Sequence, residues 1–316
     1  MDSMNAITLS QAIIAEAKKI GFHSCGISKA ENLPDDAARL KRWLDKGLQA
    51  EMAYMGNHFE KRTDPRRLVD NAKSVISVLY NYYPQEYQGD NAGLKLSKYA
   101  FGKDYHQVIK KKLKQLLEFI RQSKPDLSAR VFTDSAPVLE RAWARKAGLG
   151  WIGKNTNLIT RGQGSFFFVG EIICNLDLDY NHCIDADHCG GCTRCIDACP
   201  TGALKPYELD SNRCISYWTI EYKGESIPGA FAGKFNKYIF GCDICQDVCP
   251  WNRLSEPHNE PGFRLSEALQ KMSGTDWENL SEEQYRGLFR ESPVKRSGYK
   301  GLKRNILFVS RKESAS

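Results

Sequence analysis

Eight of the chain's eleven cysteines fall between Cys189 and Pro250, at spacings suited to ligating metal clusters. The first group reads Cys189-Gly-Gly-Cys192-Thr-Arg-Cys195-Ile-Asp-Ala-Cys199-Pro200. Cys214 stands alone, and the second group reads Cys242-Asp-Ile-Cys245-Gln-Asp-Val-Cys249-Pro250. Thiolates two residues apart can hold adjacent corners of one iron–sulfur cube, and the C-x2-C-x2-C-x3-C-P run sends its fourth cysteine to a second cube. If the second group works in the mirrored way, one 4Fe–4S cluster takes Cys189, Cys192, Cys195 and Cys249. The other takes Cys199, Cys214, Cys242 and Cys245. Zinc and disulfides are the competing readings. Zinc commonly uses two C-x2-C pairs, which a third cysteine at the same spacing followed by x3-C-P fits poorly.

Clusters carry electrons, so something else must receive them. No G-x-G-x-x-G opens a helix after a strand, which excludes a Rossmann dinucleotide site, and there is no P-loop. Gly148-Leu-Gly150-Trp-Ile-Gly153 has the glycine spacing but sits at the end of a helix, so it reads as a loop. Asp134 is a stronger candidate, because an acid at the carboxyl end of a buried strand is well placed to expose a catalytic side chain. Partial burial would raise its pKa and let it donate a proton. From position alone, the favoured reading is that Asp134 caps the following helix. Tyr99, Lys103, Asp104, Tyr105 and His106 form a polar and aromatic cluster, in which Asp104 reads as an N-cap and His106 as a surface residue. Cys25, Cys174 and Cys183 lie outside the cluster spacings and read as inert thiols.

The elements that must position these groups alternate between helix and strand. Residues 10–20 predict a helix with Ser10 as N-cap, Ile13, Ala17 and Ile20 on one face and Gly21 at its end. A second helix is expected over 36–46, and a buried strand over Lys73 to Tyr80. The clearest helix runs from Asp104 to Gln122, with Ile109, Leu113, Leu116, Leu117 and Ile120 at helical spacing. A short strand over 130–134 delivers Asp134, and Pro137 suits the first turn of the next helix, which stops at Gly148. Asn157–Thr160 and Ser165–Cys174 read as a hairpin. The fold class expected is α+β: a mixed α/β domain over 1–180, a two-cluster ferredoxin-like domain over 181–255, and a short helical segment over 256–316. The middle region has little core of its own.

The composition is that of a soluble globular protein, with 316 residues, 41% hydrophobic and 26% charged. Neither a signal peptide nor a membrane span is evident in the sequence, and many cysteines without an export signal point to a reducing, cytoplasmic setting. The net charge is +7. Lys110, Lys111, Lys112 and Lys114 share one helix, and Lys295, Arg296, Lys300, Lys303 and Arg304 crowd the C-terminus without an acid among them. Such runs are often solvated faces; read functionally, they bind nucleic-acid phosphates.

Five segments resemble the epoxyqueuosine reductase family. They are Ser97-Lys-Tyr-Ala-Phe-Gly-Lys-Asp-Tyr-His106, Thr133-Asp-Ser-Ala-Pro-Val-Leu-Glu-Arg141, Ala147-Gly-Leu-Gly-Trp-Ile-Gly-Lys-Asn155, Cys214-Ile-Ser-Tyr-Trp-Thr-Ile-Glu-Tyr-Lys-Gly224 and Phe240-Gly-Cys-Asp-Ile-Cys-Gln-Asp-Val-Cys-Pro-Trp-Asn252. The resemblance implies a cobalamin-dependent enzyme that removes the epoxide oxygen of epoxyqueuosine at the tRNA wobble position, with Asp134 as proton donor in place of a cap. Cobalamin is implied by the resemblance alone, and the sequence lacks the D-x-H-x-x-G motif that supplies a lower histidine ligand in some cobalamin proteins. Ser97, Asp134, Asn157, Ser216, Tyr217, Cys242 and Asp243 match the cofactor-lining parts of the family. The basic residues from Lys295 to Arg304 would then contact tRNA phosphates, and an external donor would supply electrons to a monomer with no membrane association. Many relatives continue into a helical-repeat region, whereas this chain stops soon after Val309. The alternatives are a cobalamin-dependent reductive dehalogenase, disfavoured by the basic tail, and an electron carrier, which leaves the α/β domain without a role.

Overall fold

The computed structural model of the chain describes residues 6–88, 93–183 and 186–311. Part of the loop expected before Gly93 lies outside them. In the first half come α1 (Ala6–Ile20), β1 (Ser24–Lys29), α2 (Pro34–Asp45), α3 (Phe59–Thr63), β2 (Ser74–Asn81) and β3 (Lys95–Leu96). There follow α4 (Tyr105–Ser123), β4 (Ala129–Phe132), α5 (Glu140–Lys146), β5 (Trp151–Ile152), β6 (Leu158–Ile159) and β7 (Phe167–Cys174). The second half holds α6 (Arg194–Asp197), β8 (Leu204–Lys205), β9 (Glu208–Leu209), β10 (Tyr238–Phe240), α7 (Ile244–Asp247), α8 (Glu267–Lys271), α9 (Gly274–Glu278), α10 (Glu282–Phe289) and α11 (Gly298–Ser310).

The mixed α/β character expected from the sequence is found. Its centre is an antiparallel sheet in the order β1-β2-β7-β4. β2 is buried from Ser74 to Tyr80, in keeping with the buried strand expected over Lys73 to Tyr80. One face of the sheet is covered by α1 and α4, through Ile13, Ala17, Ile109, Leu113, Leu116 and Ile120. Burying each Leu or Ile of α4 contributes roughly 1.5–3 kcal/mol. Against the opposite face lies α5, whose Trp143 packs with Val75, Phe132 and Ile173.

Three local expectations are corrected. α1 begins before Ser10, whose hydroxyl is buried and accepts from the Asp179 amide at 2.8 Å instead of capping. α5 begins at Glu140, not near Pro137, with Leu139 as a cap residue that makes no side-chain bond. The intervening residues 133–139 form no helix, and the Thr133 hydroxyl ties their start to the Val169 carbonyl at 2.9 Å. β6 pairs with β5, while β7 pairs with β2 and β4, and a Thr160–Gly164 bridge closes the turn between β6 and β7.

The cysteine region is stitched to the sheet domain by the parallel pairing of β10 with β3. A buried polar joint adds to this: the Asn252 side chain accepts from the Ser165 amide at 2.6 Å and donates to the Gln246 carbonyl at 2.7 Å. The C-terminal helices share one core with both preceding parts, in which Trp277, Phe289, Leu302 and Ile306 meet Leu96, Phe101 and Phe240.

Candidate functional site

The eight cysteines of the two groups divide between two cavities. The smaller, about 250 Å³, is lined by Cys189, Cys192, Cys195 and Cys249 together with Trp251, His188 and Lys154. Lys154 fastens its rim by donating to the carbonyls of Gly190 and Cys192. The larger, about 690 Å³, is lined by Cys199, Cys214, Cys242 and Cys245. No three His, Cys, Asp or Glu side chains among the described residues converge on a single metal ion. Four thiols around a void, rather than around a point, fit a cube of iron and sulfur better than one zinc ion. Burial raises the Cys214, Cys242 and Cys245 thiols above their ordinary range, a preference that bound iron reverses.

The larger cavity is also where the sheet domain presents its acids. β4 ends at Phe132, and Asp134 follows in a left-handed conformation, φ 47°, that few non-glycine residues adopt. This turn lifts the carboxylate into the cavity, where the side chain is 61% exposed. The partial burial expected from the sequence is therefore corrected, and so is the capping role, since α5 starts six residues later. The Glu140 side chain instead accepts from the Asp134 amide, and the Tyr105 hydroxyl donates to Asp134 Oδ2. Burial, reinforced by the nearby Asp134 carboxylate, pushes Glu140 up to about 8. Behind it lies Glu171 on β7, buried opposite Phe132, without a hydrogen-bond partner and raised well above the carboxylate range by burial.

Asp104 is the N-cap of α4, as expected, accepting from the His106 amide at 3.1 Å. The same carboxylate lies 2.6 Å from His106 Nδ1 and 2.9 Å from Lys295 Nζ. Burial works to raise its pKa, but these two partners hold it well below the usual carboxylate range. His106 is not the surface residue expected: its Nε2 lies 3.7 Å from Asp134 Oδ2, and its ring stacks on Tyr105. Spacing could not reveal this, because the link runs between the start of α4 and the end of β4, across the sheet.

Of the other residues singled out in the sequence, Ser97, Asn157, Ser216 and Cys242 line the large cavity. Asp243 and Tyr217 are buried and do not line it. Asp243 accepts from the Ser97 hydroxyl and, at 2.8 Å, from the Lys98 amide, tying the second cysteine group to the turn before α4. Tyr217 packs on Trp218 with ring centroids 5.1 Å apart. Arg141, not singled out as a site residue, lines the cavity and donates to the Thr156 carbonyl at 2.6 Å.

The basic C-terminal residues do not form one surface. Lys295 and Arg296 reach the cavity, and Arg296 pairs with Glu221 at 2.8 Å. Lys300 is exposed on α11. Lys303 donates to the Glu278 carbonyl. Arg304 donates to the carbonyls of Trp218, Tyr222 and Gly224, and so braces α11 against the cysteine region. Among the described residues, no helix is long and apolar enough to cross a membrane.

Two family profiles match the chain: "Epoxyqueuosine reductase QueG, DUF1730" over residues 62–135 and "4Fe-4S double cluster binding domain" over residues 188–252. An epoxyqueuosine reductase from Cellulophaga algicola is 56% identical over 301 residues, covering 95% of this chain and 97% of that one. A crystal structure of epoxyqueuosine reductase with an epoxyqueuosine-modified tRNA-Tyr stem loop superposes with a TM-score of 0.86 at 30% identity, covering 96% of this chain and 81% of that one. The Bacillus subtilis epoxyqueuosine reductase, solved with a catalytic aspartate loop swung out of the active site, gives a TM-score of 0.87 at 29% identity, covering 96% and 81%. A structure described as suggesting a mechanism for B12-dependent dehalogenation shares the fold at 16% identity and a TM-score of 0.50, covering 96% of this chain and 39% of that one.

Proposed function

The chain belongs to the epoxyqueuosine reductase family of oxidoreductases, and from that premise we propose that it deoxygenates epoxyqueuosine in tRNA, with the large cavity as the reaction chamber. The observation that carries this reading is that Asp134 and four cluster-type thiols line one cavity. The thiols can hold a cluster that delivers electrons, and Asp134 can deliver a proton. Replacing an epoxide by a carbon–carbon double bond takes two electrons and two protons and releases water, and an alkoxide leaves poorly unless it is protonated.

Two iron–sulfur clusters would sit in the cysteine-lined cavities, the first held by Cys189, Cys192, Cys195 and Cys249, the second by Cys199, Cys214, Cys242 and Cys245. Cobalamin would lie in the large cavity beside the second cluster, where the hydroxyl and amide side chains of Ser97, Asn155, Asn157 and Ser216 in the lining suit a ring bearing amide arms. When bound, it supplies a low-valent cobalt able to give electrons to an epoxide carbon. The chain's own residues do the rest. Asp134 protonates the epoxide oxygen, and the hydrogen bond from Tyr105 orients its carboxyl group. Asp243 positions Ser97 and the Cys242 turn. Tyr217 is buried next to Ser216 in sequence and packs on Trp218. Lys295, Arg296 and Lys300 face the phosphates of a tRNA stem loop, while Arg304 and Lys303 keep α11 in place. A cytoplasmic monomer reduced by an external donor fits this substrate.

Asp134→Asn tests the assignment. The variant is expected to bind tRNA and cobalamin normally and to deoxygenate about 10²–10⁴-fold more slowly. Turnover at the wild-type rate would remove Asp134 from the chemistry.

A further inference from the structure

The reaction consumes two protons, whereas Asp134 holds one at a time. Its carboxyl group must be reloaded within a turnover, and His106 is placed to do so. Asp104 is an ionised carboxylate bound by Lys295 and His106, and an ionised carboxylate can only accept hydrogen bonds. The hydrogen between them therefore sits on His106 Nδ1, which turns Nε2 toward Asp134 Oδ2, 3.7 Å away. A small side-chain rotation or one water closes that gap. Stacking on Tyr105, 4.2 Å between ring centroids, fixes the imidazole plane. The ring is 27% exposed, so solvent can return a proton to it.

Building on the function proposed above, we propose that His106 relays the second proton to Asp134, with Asp104 and, through it, Lys295 as positioning residues. Asp134 gives its proton to the epoxide oxygen as the first carbon–oxygen bond breaks. His106 Nε2 then protonates the Asp134 carboxylate and takes a proton from water in turn. Asp134 gives the second proton as the second carbon–oxygen bond breaks, and the oxygen leaves as water. The two electrons come from the external one-electron donor through the clusters.

The test compares wild type, Asp134→Asn, His106→Gln, His106→Gly, Asp104→Asn, Lys295→Met and Lys295→Arg in one anaerobic assay on epoxyqueuosine tRNA with cobalamin and reductant. His106→Gln is expected to lower kcat by about 10²-fold or more, with the tRNA KM within about twofold of wild type. Added imidazole should raise the His106→Gly rate severalfold while leaving Asp134→Asn unmoved. Asp104→Asn, which can still cap α4, should lower kcat without lowering tRNA binding. Lys295→Met should lose kcat, and Lys295→Arg should recover most of it. Iron content reports folding independently of turnover in every variant, and tRNA binding does so in the variants other than those of Lys295. Wild-type rates in His106→Gln, or a His106→Gly deficit that imidazole cannot move, would overturn the relay while leaving the function standing. An intact epoxide after incubation with wild type would overturn both.

Discussion

The two cysteine-lined cavities have the same kind of ligands and different neighbours. Around the first, Trp151, Trp251, His188 and Ile159 pack against the thiols, and a bare Gly190-Gly191 loop faces solvent. Around the second, the thiols share a chamber with Asp134, His106, Tyr105 and Arg141. The contrast separates transport from chemistry. A cluster in the first cavity can exchange electrons near the surface, and one in the second abuts the groups that move protons.

The largest effects are expected at the thiols. Cys214→Ser should lose about four irons and nearly all turnover, even with a strong chemical reductant. Cys192→Ser should lose a similar amount of iron yet keep residual turnover when a small reductant can enter the large chamber. Iron analysis and reductant-dependent rates check both, and equal loss of turnover under every reductant would erase the distinction between the cavities.

A smaller effect is expected at the joint between the two regions. Asp243→Ala leaves the Ser97 hydroxyl and the Lys98 amide without their acceptor, at a cost of about 1–3 kcal/mol. Thermal unfolding and a turnover deficit of roughly tenfold, the rate equivalent of about 1.4 kcal/mol, should report it together.

Much of this arrangement was legible in the sequence. The cysteine spacings specify which thiols can share a cube, because short-range geometry governs both. The apolar positions of α4 specify its buried face, since Ile109, Leu113, Leu116 and Ile120 are all in the core. What stayed hidden was long-range. Nothing in a local pattern says that His106 and Asp134, separated by a helix and a strand, meet at one cavity. Nor does the density of cations near the C-terminus reveal that Arg304 is a brace and Lys295 an ion-pair partner of Asp104. The start of α5 at Glu140 is not legible either, because Pro137 suits an N-terminal turn but does not require one.

The acids beside the chamber make stability depend on pH. Glu140 is raised from 4.5 to about 8 in the folded protein, so between those values the folded state holds a proton that the unfolded chain has lost. Stability therefore falls as pH rises through this window. Glu140→Gln should flatten that part of the stability–pH curve, and an unchanged slope would place the buried proton elsewhere.

The smallest effects concern the basic residues. Lys300→Ala should weaken tRNA binding a fewfold and reduce the salt dependence of binding by about one counterion. Arg304→Ala should leave the salt slope alone and lower the melting temperature instead. A change of salt slope in both would mean that α11 meets the phosphates along its length.

The central claim, that electrons and protons meet in the large cavity to deoxygenate a tRNA nucleoside, is tested most directly by mass. Wild-type protein is incubated anaerobically with epoxyqueuosine-containing tRNA, a reductant and cobalamin, and the digested nucleosides are weighed. The modified nucleoside is expected to lose one oxygen, and omitting cobalamin is expected to abolish the loss. An unchanged nucleoside in the complete mixture would contradict the claim.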